Sequence, residues 1–304
     1  MSQTADMAGA ATPGGDAPTE LKVPRGPRRR SLLRRVVVRP AAAIALGYLI
    51  VLVLFAVLAP VIARYDPQQQ VLSETFAPIS ADHWLGTDNL GRDVASRIVY
   101  GARYALIAPA ISVGIALLIG LPTALLAGLR RGWVDAVMSR LADTTLSLPG
   151  LAFALAIVAV MGPGLVNAMI ALGITFAPRM YRVVRGASLA VAEETFISSA
   201  RAIGSSTPRI LVSHMLPNIA APLLVQTTVL MAVALIAEAG LSFLGLGVQP
   251  PDASWGTMLN VAYQNQFQAK FGMVAPGVAI ILTALAFNTL GDAVRDEIAN
   301  RGRR

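Results

Sequence analysis

Long stretches of this chain carry no charge at all, and that limits its fold more than any other feature. The uncharged runs cover 41–63, 104–129, 144–178 and 271–291, and 215–247 is broken only by Glu238. A helix needs roughly 20 apolar residues to cross about 30 Å of hydrocarbon, and inside the bilayer only helices and closed barrels satisfy their own backbone. Charged residues make up 14% of the chain, against about 25% in a soluble domain, so most of the surface is not built to face water. The run 144–178 is too long for one span. Gly162-Pro163-Gly164 divides it, because adjacent glycine and proline mark a turn.

Six spans are predicted: 41–63, 104–129, 140–161, 165–182, 215–247 and 271–291. The fourth continues past Pro178, with Arg179 and Arg182 snorkelling to the interface. Ahead of the first span, residues 1–35 are predicted to form a disordered, basic, cytoplasmic tail, which leaves a membrane domain over 36–304. The tail carries Arg25, Arg28, Arg29, Arg30, Arg34 and Arg35. The apolar run that follows is longer than the 7–15 residues of a signal-peptide core, so it reads as an uncleaved span. The segments 1–40, 130–140, 179–214 and 292–304 are basic, whereas 64–103, 162–164 and 248–270 are balanced or acidic. Lys and Arg concentrate on the cytoplasmic side, so the alternation predicts N-in, C-in. The expected fold class is an all-α integral membrane protein.

What is missing excludes several chemistries. A P-loop needs a lysine after glycine to reach the β/γ-phosphates, and the two lysines, Lys22 and Lys270, follow other residues. Cysteine is absent and histidine occurs only at His83 and His214, which leaves little for thiol, Ser-His or metal chemistry. No metal site and no catalytic residue is expected. The net charge of +8 belongs to residues flanking apolar runs, so it reads as orientation, not nucleic-acid binding.

The most informative polar segment is 193–217. Phe196, Ala200 and Ile203 recur at helical spacing while Ser198, Ser199 and Arg201 are polar. Glu193 and Glu194 suit a helix start and Gly204 suits a left-handed cap. A short amphipathic helix follows, and the pattern alone leaves two uses open: lying on the membrane surface, or docking in a partner's groove.

This stretch resembles the cytoplasmic loop of ABC importer permeases, whose motif is Glu-Ala-Ala, three residues, Gly, nine residues, Ile-x-Leu-Pro. Ala200, Gly204, Leu216 and Pro217 match in identity and spacing, while Ser198, Ser199 and His214 depart from it. Three further stretches are similar to the second permease of dipeptide and oligopeptide importers. They are His83-Trp-Leu-Gly-Thr-Asp-Asn-Leu-Gly-Arg-Asp-Val-Ala-Ser-Arg97 with Tyr100-Gly-Ala-Arg103, Leu241-Ser-Phe-Leu-Gly-Leu-Gly247, and Asn288-Thr-Leu-Gly-Asp292. The resemblance covers most of the chain from about residue 35. It implies a type I ABC importer-like bundle in the bacterial plasma membrane, surrounded by lipid. It also implies a heterodimer with a sister permease, two ABC ATPase subunits and an extracytoplasmic substrate-binding protein. ATP and Mg would then bind the ATPases; this chain would hold no cofactor and perform no hydrolysis. The loop 193–217 would couple ATPase closure to the bundle, and di- or oligopeptides would pass between the two permeases.

Glu238 is the one acid deep in an apolar run, and an intramembrane carboxylate faces protein or water. It reads either as a pathway or subunit-interface residue, with Asn288 as a companion, or as a hydrogen-bonding residue between packed helices. Asp88, Arg92 and Asp93 read either as contacts to the binding protein or as internal braces. A stand-alone secondary transporter is the main rival reading, and the two halves of the chain show no internal repeat to favour it.

Overall fold

A computed structural model describes residues 39–269 and 271–302. The basic tail 1–35 and the final Arg303 and Arg304 lie outside them. Apart from one antiparallel bridge between Thr87 and Asp93, the regular structure of the described residues is helical, and 63–93 is otherwise irregular save for a short turn at Leu72–Glu74. We number the helices α1 Pro40–Ile62, α2 Val94–Arg130, α3 Gly132–Leu146, α4 Gly150–Met161, α5 Leu165–Ala192, α6 Thr195–Ala202, α7 Thr207–Phe243, α8 Trp255–Gln264 and α9 Val274–Gly302.

Helix ends follow local chemistry. Pro40 opens α1, where its missing N–H costs nothing. Asp93 caps α2 by accepting the Ser96 N–H at 2.7 Å. Helix α2 therefore starts ten residues before the uncharged run and extends well beyond the hydrocarbon. Ser254 and Thr257 form a capping box on α8, a helix inside the segment 248–270 that carried no helical expectation. The first turns of α7 are a π-helix over Ile210–Met215. Pro217 lies two residues beyond it and cannot donate to a carbonyl one turn back, which favours the wider ring just before it.

Among the described residues, four helices (α1, α2, α7 and α9) are long and apolar enough to cross a membrane, and the pair α3 and α4 makes a fifth if counted as one broken span. The residues of the expected span 140–161 lie in two helices bent by 91° across Ser147-Leu148-Pro149. Pro149 cannot donate a helical hydrogen bond and biases Leu148 away from helix. Helix α5 replaces the predicted 165–182 span and runs ten residues further. Its second half carries Arg179, Arg182 and Arg185, so it does not reach the apolarity of the other four.

Helix α5 is nevertheless at the centre, with Met169, Leu172, Phe176, Met180 and Val184 buried. It packs most extensively on α2. The close approach is made by glycine: a Cβ on Gly173 would lie 2.6 Å from the Ile115 Cβ, and one on Gly120 would lie 2.7 Å from the Ala177 carbonyl. The main core joins α2, α5 and α7 with α4 and α6, and a second cluster joins α1, α2, α7, α8 and α9.

Candidate functional site

At the C-terminal end of α2, the short helix α6 is clamped to the bundle along one face. Ile197 is fully buried and Ala200 nearly so. Both join the main core beside Leu129 and Val184. The Arg201 guanidinium donates to the Leu129 carbonyl at 3.0 Å, satisfying one of the orphan acceptors that end α2. Arg131 pairs with Glu193 at 2.8 Å, tying the approach to α6 to the same place. Eight residues cannot hold a helix by propensity alone; these contacts do.

Gly204 ends α6 as its sequence position suggests. It adopts φ +77°, the left-handed conformation that glycine reaches without strain. Around it Ser205 N–H reaches the Ala200 carbonyl and Gly204 N–H reaches that of Arg201, both at 3.0 Å, which is the Schellman pattern. The spacing from Gly204 to Leu216-Pro217 is then a two-residue link, one turn of helix and the π-helical stretch that holds His214. His214 and Leu216 are half-buried there and Pro217 is exposed.

The predicted apolar stripe of Phe196, Ala200 and Ile203 is divided by the structure. Ala200 points inward with Ile197, whereas Phe196 is 39% and Ile203 82% exposed. Ser198, Ser199 and Arg201 also lie on exposed positions. The helix is too short for periodicity to set which stripe faces in; tertiary anchoring does. The result is a docked helix that, with its C-cap residue Ile203, shows two large apolar side chains to the outside.

Sequence reading missed the polar lattice behind this helix. Arg185 of α5 engages both oxygens of Asp135 on α3, one of them at 2.6 Å, and Ser139 and Tyr181 join the cluster. Arg182 pairs with Asp143 through a single contact of 2.5 Å, both side chains being about half exposed. Each acid lies several tens of residues from its arginine, so only the antiparallel packing of α3 on α5 brings them together. Near the other end of α2, Tyr104 donates to Asp252 at 2.6 Å and Trp255 Nε1 donates to the Ile98 carbonyl at 3.0 Å.

The acidic and basic residues of 83–97 are turned inward. Asp88 accepts from Arg92 Nε at 2.7 Å and from the Leu90 and Arg92 amides. Arg97 donates to the Pro67 carbonyl at 2.8 Å. Asp93 holds both the α2 cap and His83 Nδ1, at 2.9 Å, and His83 Nε2 reaches Glu74 at 3.2 Å. His83 lies between two carboxylates; the Asp93 hydrogen bond, aided by Glu74, raises its pKa above the ordinary 6.5 against the opposing effect of burial. Arg92 and Asp93 are buried. The polar groups of Asp88, Arg92 and Asp93 are thus engaged within the chain.

Glu238 is also internal, 2% exposed, and accepts from Ser242 Oγ at 2.6 Å. Ser242 in turn accepts from the Val248 amide at 3.0 Å. The carboxylate thus ties the end of α7, through Ser242, to the turn that leads into α8. Asn288 is exposed on α9, a position open to a neighbour.

The helical arrangement and the 193–217 loop can be compared with known proteins. Residues 120–304 match the family described as binding-protein-dependent transport system inner membrane component. The chain belongs to this family of permeases. Residues 28–78 match the N-terminal transmembrane domain of oligopeptide transport permease C. The permease is 40% identical over 265 residues to the glutathione transport system permease protein GsiD of Pectobacterium atrosepticum, covering 86% of this chain and 87% of that one. It is likewise 40% identical over 246 residues to the dipeptide transport system permease protein DppC of Alkalihalophilus pseudofirmus, covering 81% of each. A chain from the inward-facing MetNI methionine ABC transporter superposes with a TM-score of 0.52 at 20% identity, over 65% of this chain and 96% of that chain; that likeness concerns the fold. The permease is thus a multi-pass component of a peptide-type ABC transporter in the bacterial inner membrane.

Proposed function

We propose that this permease is one half of the translocation pathway of an ATP-driven importer of dipeptides, glutathione or other short peptides. It pairs with a sister permease, receives substrate from an extracytoplasmic binding protein, and is driven by two ABC ATPases. The observation that carries this reading is α6, anchored through Ile197, Ala200 and Arg201 while it presents Phe196 and Ile203 outward. Exposed apolar side chains on a rigidly docked helix suit a groove on a partner. Force applied there passes directly to α2, whose last turn is bonded to Arg201, and through the main core to α5. The names of the similar permeases supply the peptide class. The basic segments around α6 and α3 support placing that end in the cytoplasm, with both termini inside.

The test is reconstitution of the whole complex in proteoliposomes with Phe196→Asp and Ile203→Asp, scored for ATP hydrolysis and for uptake of labelled dipeptide. Both variants should keep thermal stability near wild type, because both side chains are exposed, and should lose uptake together with its coupling to hydrolysis. Wild-type coupled uptake in both variants would refute the docking role. Uptake that persists without any ATPase would favour a secondary transporter instead.

A further inference from the structure

Helix α1 is the least covered of the spans, with 22% of its apolar window buried. Leu54, Phe55, Leu58, Val61 and Ile62 are all exposed, so the rest of the chain leaves this apolar side of the helix uncovered. At the end of α1 this uncovered surface folds inward into a cavity of about 350 Å³ between α1, the 82–85 loop and the start of α2. That volume is within the range of small-ligand sites. Its wall is apolar, built from Phe55, Ile62, Trp84, Leu85, Ile98 and Val99. The two polar groups in its floor already have partners: Asp93 holds His83, and Ser96 Oγ accepts from the Tyr65 amide at 3.2 Å. The interior thus asks for hydrocarbon.

The rim asks for something else. Arg64 and Asp82 stand together at 3.2 Å, with 51% and 74% of their side chains exposed. Arg64 also donates to the Ala81 carbonyl at 2.7 Å. An exposed pair of this kind is weakly held and opens readily to a better partner. Trp84, 67% exposed beside it, marks the level where hydrocarbon meets water. A guanidinium fork matches a phosphate oxygen pair, and the neighbouring carboxylate matches an ammonium that can donate hydrogen bonds.

From this juxtaposition we infer a lipid site: one acyl chain of an aminophospholipid of the phosphatidylethanolamine class lies in the groove, with its phosphate at Arg64 and its ammonium at Asp82. The inference needs α1 to lie in the bilayer and does not depend on the transport reading. An anionic lipid such as phosphatidylglycerol fills the groove equally well but leaves Asp82 facing a phosphate with no ammonium between them.

The experiment is native mass spectrometry of the intact transporter complex, delipidated and then titrated with dioleoyl phosphatidylethanolamine or dioleoyl phosphatidylglycerol. Wild type should retain the ethanolamine lipid with a preference of roughly tenfold, the fold-change of one charge-assisted hydrogen bond. Asp82→Asn should bind both lipids alike, since it removes the ammonium partner without touching the packing. Val99→Trp should fill the groove and abolish the retained lipid. Equal retention of the two lipids by wild type, or an unchanged preference in Asp82→Asn, would overturn the head-group assignment. The native chain has no cysteine, so a single Leu85→Cys gives a clean cross-linking position. A cross-link from it to the sister subunit in high yield would show that protein, not lipid, occupies the groove.

Discussion

Replacing Ile197 by alanine should undock α6 without unfolding the bundle. The side chain is fully buried in the main core. The substitution removes three carbons, worth about 0.8 kcal/mol each in transfer alone. The unfilled cavity adds to that, and Ile→Ala changes in cores cost about 2–5 kcal/mol in total. The remaining ties are Ala200, the Arg201–Leu129 hydrogen bond and the exposed Arg131–Glu193 pair. An exposed ion pair supplies only about 0–1 kcal/mol, so these do not make up the loss. The loss falls on the docking equilibrium of 195–202, which is separate from the α2–α5 interface. Hydrogen exchange on the full complex reads it directly: amides of 195–205 should exchange at least about thirtyfold faster, since each 1.4 kcal/mol is a factor of ten. Ile203→Ala is the control. At 82% exposure its stability effect should stay within about 0.5 kcal/mol, leaving exchange in 195–205 unchanged, although uptake falls. Exchange within threefold of wild type in Ile197→Ala would refute the anchoring argument, as would equal acceleration by Ile203→Ala.

Two other predictions follow from the packing and the charges. His83 is held by Asp93 and Glu74, with the Tyr65 ring 5.0 Å away, and its folded pKa lies above 6.5. The stabilisation is therefore fully present below about pH 6.5 and is lost as the pH rises through the raised folded value; after correction for intrinsic rates, amide protection over 74–96 should fall over that range, and His83→Gln should flatten the profile. At the α2–α5 contact, Gly173→Ala places a Cβ 2.6 Å from the Ile115 Cβ and 2.9 Å from the Ser112 carbonyl oxygen, which should cost about 1–3 kcal/mol as overpacking. Gly114→Ala on the same helix as Ile115 meets nothing within 4 Å and should leave the melting temperature of the purified complex unchanged or raised.

Periodicity and charge were enough to read the all-helical membrane class, the turn at 162–164 and the glycine cap at Gly204, because each depends on residues close in the chain. Residues whose role depends on a distant partner were not legible in that way. The acids Asp135 and Asp143 gave no signal, since their arginines lie on a different helix. The segment 140–161 looked like one span because hydropathy is blind to a bend, and α8 was hidden because it is short and only partly apolar.

The division has a single physical cause. By itself the sequence determined where the chain is apolar enough to cross hydrocarbon and where the short helix α6 can start and stop, because transfer energy and capping act within a few residues. Only the tertiary structure decided which side of each element faces inward. It put Ile197 in the core and left Phe196 and Ile203 outside, turned Asp88, Arg92 and Asp93 into an internal brace, and enclosed Glu238 against Ser242. Those outcomes rest on close packing between helices far apart in the chain, where a buried polar group stays only if a partner from elsewhere meets it.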